Sequence, residues 1–288
     1  MIDNFLNWLN KNGKSKNTIY NYKLSIQNYF TWFDGTFASF PVKLYNQNIR
    51  EYLQYLRNIK STNAKTINAR LSALHSFNEF LIDTDVQTDF VVHKNLKIKI
   101  QNQYISPAQF ETKDINKFIQ SILEEENPRD YALVILLAYT GCRISEALNI
   151  CINTDLFLDS KELVIREGKR DKQRTVLLNE KVINSIKIYL KYREKSRYKG
   201  SIYLFVSNKG DKLSRITVNN MFTKYSKKAG IEKIISPHDL RHFFCSYALE
   251  SGFDVHEVAY IAGHSNIHTT LLYTNPSRQK MLDKLNKL

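Results

Sequence analysis

The chain is poor in cysteine, with three in 288 residues. Cys142, Cys151 and Cys245 form an odd set with no Cys-x-x-Cys spacing, which excludes a disulfide scaffold and reads as free thiols of a reducing compartment. No uninterrupted apolar run approaches 18 residues, which argues against a membrane span. The start, MIDNFLNWLNKNGK, lacks a basic stretch followed by an apolar core and a small-residue cleavage site, so no signal peptide is expected and a soluble, cytoplasmic protein is. Internal repeats and low-complexity tracts are also missing. Acidic residues are scarce relative to basic ones: 28 Asp and Glu face 42 Lys and Arg, a net charge of +14 with a pI near 9.5. Phosphate binding is the commonest reason for such an excess, and solvated basic helices are the plainer one. The distribution favours the former. VVHKNLKIKI (91 to 100) holds no acid, and KIYLKYREKSRYK (187 to 199) interleaves bases with aromatics, as suits a grip on backbone phosphates that weakens steeply with salt.

What is present is concentrated between residues 236 and 275, SPHDLRHFFCSYALESGFDVHEVAYIAGHSNIHTTLLYTN. His238 and Arg241 stand at i and i+3, so on a helix both leave from one face. Ser236 as N-cap, Pro237 at the first helical position and Asp239 three after the cap predict that helix. Asp254 and Glu257 repeat the capping pattern, and Gly263 can end the second helix in the left-handed conformation, leaving His264 just past a helix end. An arginine offers phosphate oxygens two parallel N–H donors and keeps its charge, which a lysine cannot imitate. A second arginine for such a clamp lies about 100 residues upstream in LLAYTGCRISEAL, where Arg143 follows a Thr140-Gly141 break and precedes Glu146 by three. Glu146 is placed to order an arginine or histidine by accepting its hydrogen bond.

Arg143 with Glu146, His238-x-x-Arg241, Gly263-His264-Ser265 and Tyr273, in this order, resemble the signature of the tyrosine recombinase, or phage integrase, family. The resemblance covers residues from about 107 to 288 and, more loosely, the first 85. The family also carries a catalytic lysine in a β-hairpin turn. KELVIREGKRDKQRTVLLN reads as two strands, 161 to 167 and 173 to 178, around a Gly-containing turn in which Lys169 follows Gly168; Lys172 in the same turn is the other candidate.

The resemblance implies a role for each residue. Tyr273 would attack the scissile phosphate, forming a 3′-phosphotyrosine and releasing a 5′-hydroxyl, so bond energy is conserved and no cofactor is needed. A tyrosine with a free pKa of about 10 needs a proton acceptor or nearby positive charge, for which His238 is the candidate. Arg143 and Arg241 would stabilise the phosphoryl oxygens, His264 would donate a further hydrogen bond, Lys169 would protonate the departing 5′-oxygen, and Glu146 would orient. A metal reading competes, because His238/His242 and His264/His268 both have i,i+4 spacing. No Glu follows the first His as a zinc hydrolase motif requires, and an arginine would sit beside the cation, so no metal is expected.

The expected fold is mainly α with a small antiparallel β-sheet. Residues 1 to 87 read as a helical core-binding domain of about four helices, 88 to 106 as an extended linker and 107 to 288 as the catalytic domain. The implied partner is double-stranded DNA at a specific core site, gripped by a homotetramer on two duplexes. The tail residues Met281, Leu282, Leu285 and Leu288, at helical spacing, are candidates for docking on a neighbouring protomer. The expected activity is site-specific recombination through a Holliday junction, serving a mobile element. HFFCSYALESG after the His-Arg pair departs from the usual Xer wording, and Xer-type dimer resolution is the runner-up. A catalytically silent DNA-binding protein, a metal-dependent nuclease and a type IB topoisomerase are the other readings.

Overall fold

The computed structural model describes residues 1–100, 110–166, 173–207, 212–264, 266–271 and 286. It divides into two compact units, Met1–Asn102 and Gln103–Leu288.

The first unit is helical, with α1 (Ile2–Lys11), α2 (Lys16–Phe37), α3 (Asn46–Gln54) and α4 (Ala64–Asp83). Ser15 and Asn63 start α2 and α4 by accepting the backbone N–H groups of Thr18 and Thr66, donors that a helix N-terminus otherwise leaves unpaired. Helix α3 runs on into a π-helical turn, Tyr55–Ile59. The apolar faces close over Phe5, Ile26, Tyr29, Leu74 and Phe77, with Phe5 edge-on to Phe77 at 5.1 Å. Part of the segment expected to link the domains lies against this bundle. Asn78 on α4 accepts the N–H groups of Val91 and Val92, Asn68 both donates to and accepts from the backbone of Ile98 at 2.9 Å, and Val92 is buried. An asparagine side chain offers the same donor and acceptor pair as a peptide group, so two of them hold this segment, which includes a 3-10 turn at Lys94–Leu96, against α4.

The second unit holds α5 (Thr112–Leu123), α6 (Pro128–Thr140), α7 (Ile144–Ala147), α8 (Ile152–Asp155), β1 (Leu156–Phe157), β2 (Glu162–Arg166), β3 (Gln173–Leu177), α9 (Glu180–Arg193), α10 (Arg215–Lys228), α11 (Pro237–Glu250), α12 (Val255–Ala262) and α13 (His268–Leu271). Helix α6 is its axis. Ala132 to Ala138 are all fully buried, as expected of a helix apolar on every side, and α5, α9 and α11 pack around it. The strands form an antiparallel sheet in the order β1-β2-β3, with Leu163 opposite Val176 and Ile165 opposite Arg174. Inward and outward residues alternate along β3, so Arg174 and Val176 share the buried face. The β2–β3 turn with Lys169 and Lys172, and the tail with Tyr273, Met281, Leu282, Leu285 and Leu288, lie outside the described residues. Among the described residues no helix is long and apolar enough to cross a membrane.

The basic stretch 187 to 199 contains one residue that does not face outward. Arg193 is buried and donates to the carbonyls of Lys199, Ser201 and Tyr203 at 2.7, 2.7 and 2.9 Å, so it stitches the chain after α9 rather than offering its charge to a ligand.

Candidate active site

The cluster is assembled from chain ends of helices. Helix α6 stops at Gly141, whose φ of +61° only glycine adopts cheaply and where a Cβ would meet Phe244 Cδ1 at 2.3 Å. This close approach seats α11 on the end of α6. Helix α11 begins with the capping box predicted from the spacing, Ser236 with Asp239, after Pro237 in the first turn. One turn in, Arg241 is buried and donates from Nη1 to Gly141 O at 2.6 Å, so residues 100 apart in sequence meet.

Arg143, two residues past Gly141, is the N-cap of α7. Its backbone N–H donates to Glu146 Oε2 at 2.7 Å and its Nη1 to Oε1 at 2.8 Å, while Nη2 reaches Gly263 O at 2.9 Å. Its side chain remains 42 % exposed, whereas Glu146 is 6 % exposed. Helix α12, opened by the Asp254/Glu257 capping box, ends at Gly263 with φ of +68°, and His264 follows with Nδ1 2.7 Å from the hydroxyl of buried Thr270.

Two partners in this arrangement were not anticipated from the sequence. Arg174 of β3 donates bidentately to Glu146 at 3.1 and 2.8 Å and from Nε to Ile261 O at 3.0 Å. Thr270 holds the ring of His264. Arg174 looks like one more base after a basic turn, and only its phase with Val176 betrays it. Thr270 carries no signal beyond lying between His264 and Tyr273.

Two guanidiniums, Arg143 and Arg174, thus bond a single carboxylate, and a third, Arg241, is buried near enough to feel their charge. Burial raises the Glu146 carboxyl, but the bonds and charge of Arg174 and the bonds from Arg143 outweigh it and hold it below the ordinary glutamate range. Both histidines register the uncompensated charge. Burial, then Arg241, lower the His238 imidazole; Asp239 pulls the other way and Arg143 adds a smaller lowering. Burial, then Arg241, Arg143 and Arg174, push His264 down to about 4. Both are therefore neutral at pH 7 as the site stands, and an anion among them would relieve the repulsion.

His242 packs edge-on to His238, ring centroids 4.3 Å apart, and burial lowers its pKa. Among the described residues no group of three or more His, Cys, Asp or Glu could hold a metal ion. Cys142 and Cys245 are buried unpaired thiols pushed up to about 11 by burial, and Cys151 is also free.

A neutral histidine beside clustered arginines, on a helical scaffold with one small sheet, is a setting suited to holding a phosphate ester. The model of the phage integrase family matches residues 108–280, that of the phage integrase N-terminal SAM-like domain matches residues 1–88, and the chain belongs to this family. It is similar to the TnP I resolvase of Bacillus thuringiensis, 50% identical over 285 residues, covering 99% of this chain and 98% of that one. It is also similar to the tyrosine recombinase XerA of Pyrococcus horikoshii, 30% identical over 295 residues and covering 100% and 93% of the two chains. Among solved structures, the Tn1549 transposon integrase in complex with a circular intermediate DNA superposes with a TM-score of 0.75 at 19% identity, covering 100% of this chain and 99% of that one. The fold is accordingly mainly α with a small antiparallel sheet, and the protein is a tyrosine site-specific recombinase.

Proposed function

We propose that Arg143, Arg241 and His264 hold the scissile phosphate of duplex DNA, that His238 takes the proton of Tyr273, and that Tyr273 attacks phosphorus to form a 3′-phosphotyrosine. Lys169, or Lys172 in the same turn, protonates the leaving 5′-oxygen, and Glu146 orients Arg143. One P–O bond forms as another breaks, so the reaction needs no external energy source, and a 5′-hydroxyl attacking the phosphotyrosine reverses it. The observation that carries this reading is a cluster of three arginines, two of them on the Glu146 carboxylate and Arg241 on the Gly141 carbonyl, beside two neutral histidines. Such a site has excess positive charge for a phosphodiester and an unprotonated base for a phenol.

In this reading residues 1 to 87 grip the core site, 88 to 106 connect, and 107 to 288 carry out the chemistry. Four protomers exchange strands between two duplexes through a Holliday junction in the cytoplasm, the terminal helix with Met281, Leu282, Leu285 and Leu288 docking on a neighbour. Resolution or integration of a mobile element is favoured over chromosome dimer resolution, because the relative named a resolvase shares half its residues with this chain over nearly the full length of both.

Nicked suicide substrates from DNA flanking the gene, incubated in EDTA with wild type and Tyr273→Phe, test the proposal. A covalent adduct from wild type that is missing from the variant is expected. An equal adduct from the variant would move the nucleophile elsewhere. DNA binding by wild type with no adduct on any flanking site would favour a silent DNA-binding protein.

A further inference from the structure

Arg174 is the one arginine of the cluster for which the recombinase chemistry has no assignment, and it is buried with polar partners on Nε and both Nη atoms. Its side chain is 8 % exposed, at a core-facing position of β3 where the neighbouring position in phase is Val176. One edge of the guanidinium is spent on both oxygens of Glu146, at 3.1 and 2.8 Å, and its Nε on Ile261 O at 3.0 Å. The flat of the group fills the space under the turn at Gly263, where a Cβ would lie 2.6 Å from Arg174 Cζ and Nη1. Arg143 holds the same turn from the other side, through Gly263 O, and shares the same carboxylate. Arg174 therefore ties together three segments: the start of α7 with Arg143, the end of α12 with His264, and the hairpin strand β3.

We propose that Arg174 is a positioning residue for strand cleavage, locking Glu146 and the Gly263 turn so that Arg143 and His264 are preset for the phosphate it never touches. The proposal rests on the recombinase reading above. Arg143 engages both oxygens of Glu146 through its backbone N–H and its Nη1, and the bidentate fork of Arg174 on the remaining lone pairs ties that carboxylate to β3 and to the end of α12. Lysine retains the charge but forms no planar fork, so it cannot substitute in full. Because Arg174 is filled by its own partners and faces the core, its contribution is made through Arg143, and its loss should depend on the charge of the phosphate that Arg143 stabilises.

The test compares wild type, Arg174→Lys and Arg174→Met in single-turnover cleavage of a nicked suicide substrate. Each is run with an ordinary phosphodiester and with a methylphosphonate at the scissile position, whose methyl group removes the non-bridging charge. A misplacement of about 1 Å in a catalytic group costs on the order of 100-fold. Arg174→Met is expected to cleave the phosphodiester roughly that much more slowly, with Arg174→Lys between it and wild type and DNA affinity within a few-fold. On the methylphosphonate the gap between wild type and variant should shrink at least about tenfold, which a loss of folded protein would not produce. An equal defect on both substrates, or undiminished cleavage by either variant on the phosphodiester, would overturn the proposal. Should Arg174→Met fail to fold, the same ratio measured on Arg174→Lys decides. A wild type that forms no adduct would overturn the recombinase reading, and this proposal with it.

Discussion

Replacing Glu146 by alanine should be among the most damaging changes to the C-terminal unit. The carboxylate is 6 % exposed and Arg174 8 %, so neither charge is solvated by bulk water. With Glu146 gone, Arg174 retains, among the described residues, the carbonyl of Ile261, and the Arg143 N–H loses the acceptor that caps α7. Removing one partner of a buried pair costs about 3–5 kcal/mol, because the other charge stays buried and unpaired. That is a large share of the roughly 5–15 kcal/mol that holds a domain together. At a urea dependence of about 1–3 kcal/mol per molar, the midpoint should fall by roughly 2 M. Removing both charges, in Glu146→Leu with Arg174→Met, should recover at least about 2 kcal/mol of the loss, since an apolar replacement of a whole pair is often near neutral. Far-UV circular dichroism follows the transition. The fluorescence of Trp8 and Trp32, both in the N-terminal unit, reports that unit separately. A loss under about 1 kcal/mol, or a double variant as unstable as Glu146→Ala, would refute the buried-pair argument.

Gly141→Ala forces a left-handed residue, at about 1–2 kcal/mol, and drives a Cβ into Phe244 at 2.3 Å; a thermal melt should show a clear loss, and an unchanged melting temperature would contradict the seating of α11 on α6. His264 and His238 have folded pKa values below their unfolded ones, so their contribution to stability is complete above about pH 6.5 and is lost progressively as pH falls towards about 4, the folded value for His264. Melting temperature against pH at fixed ionic strength should show that slope, and His264→Asn should flatten it. Arg193→Met removes three bonds to carbonyls that close the turn after α9 and should cost about 2–4 kcal/mol in urea without changing the affinity of the folded fraction for DNA; a selective loss of affinity would return Arg193 to the phosphate-facing set.

Much of the architecture is legible because its determinants are local. Ser236, Pro237 and Asp239 specify the start of α11 within four residues, Asp254 and Glu257 that of α12, and Thr140-Gly141 the end of α6. Arg143, Glu146, His238, Arg241 and His264 could be named from the order of their motifs, and the structure brings them near one another at the helix ends those local signals set. Arg174 could not be named in this way. Its partner Glu146 is 28 residues away, and a chain with 42 basic residues offers no reason to single it out except the alternation of β3. The hold of Asn68 and Asn78 on residues 91 to 98 is hidden for the same reason, since an asparagine that bonds a distant backbone looks like any polar helix residue until both ends of the contact are seen. The π-helical turn Tyr55–Ile59 has no local marker, so the helix pattern runs through it.

The central claim concerns one hydroxyl, and mapping the covalent adduct tests it most directly. Trypsin acting after Arg241 and Arg278 releases residues 242 to 278, which contain Tyr247, Tyr260 and Tyr273. Fragmentation of that peptide from nuclease-trimmed adduct should place a 3′-linked nucleotide on Tyr273. A nucleotide on Tyr247, on Tyr260 or on a different peptide would contradict the mechanism.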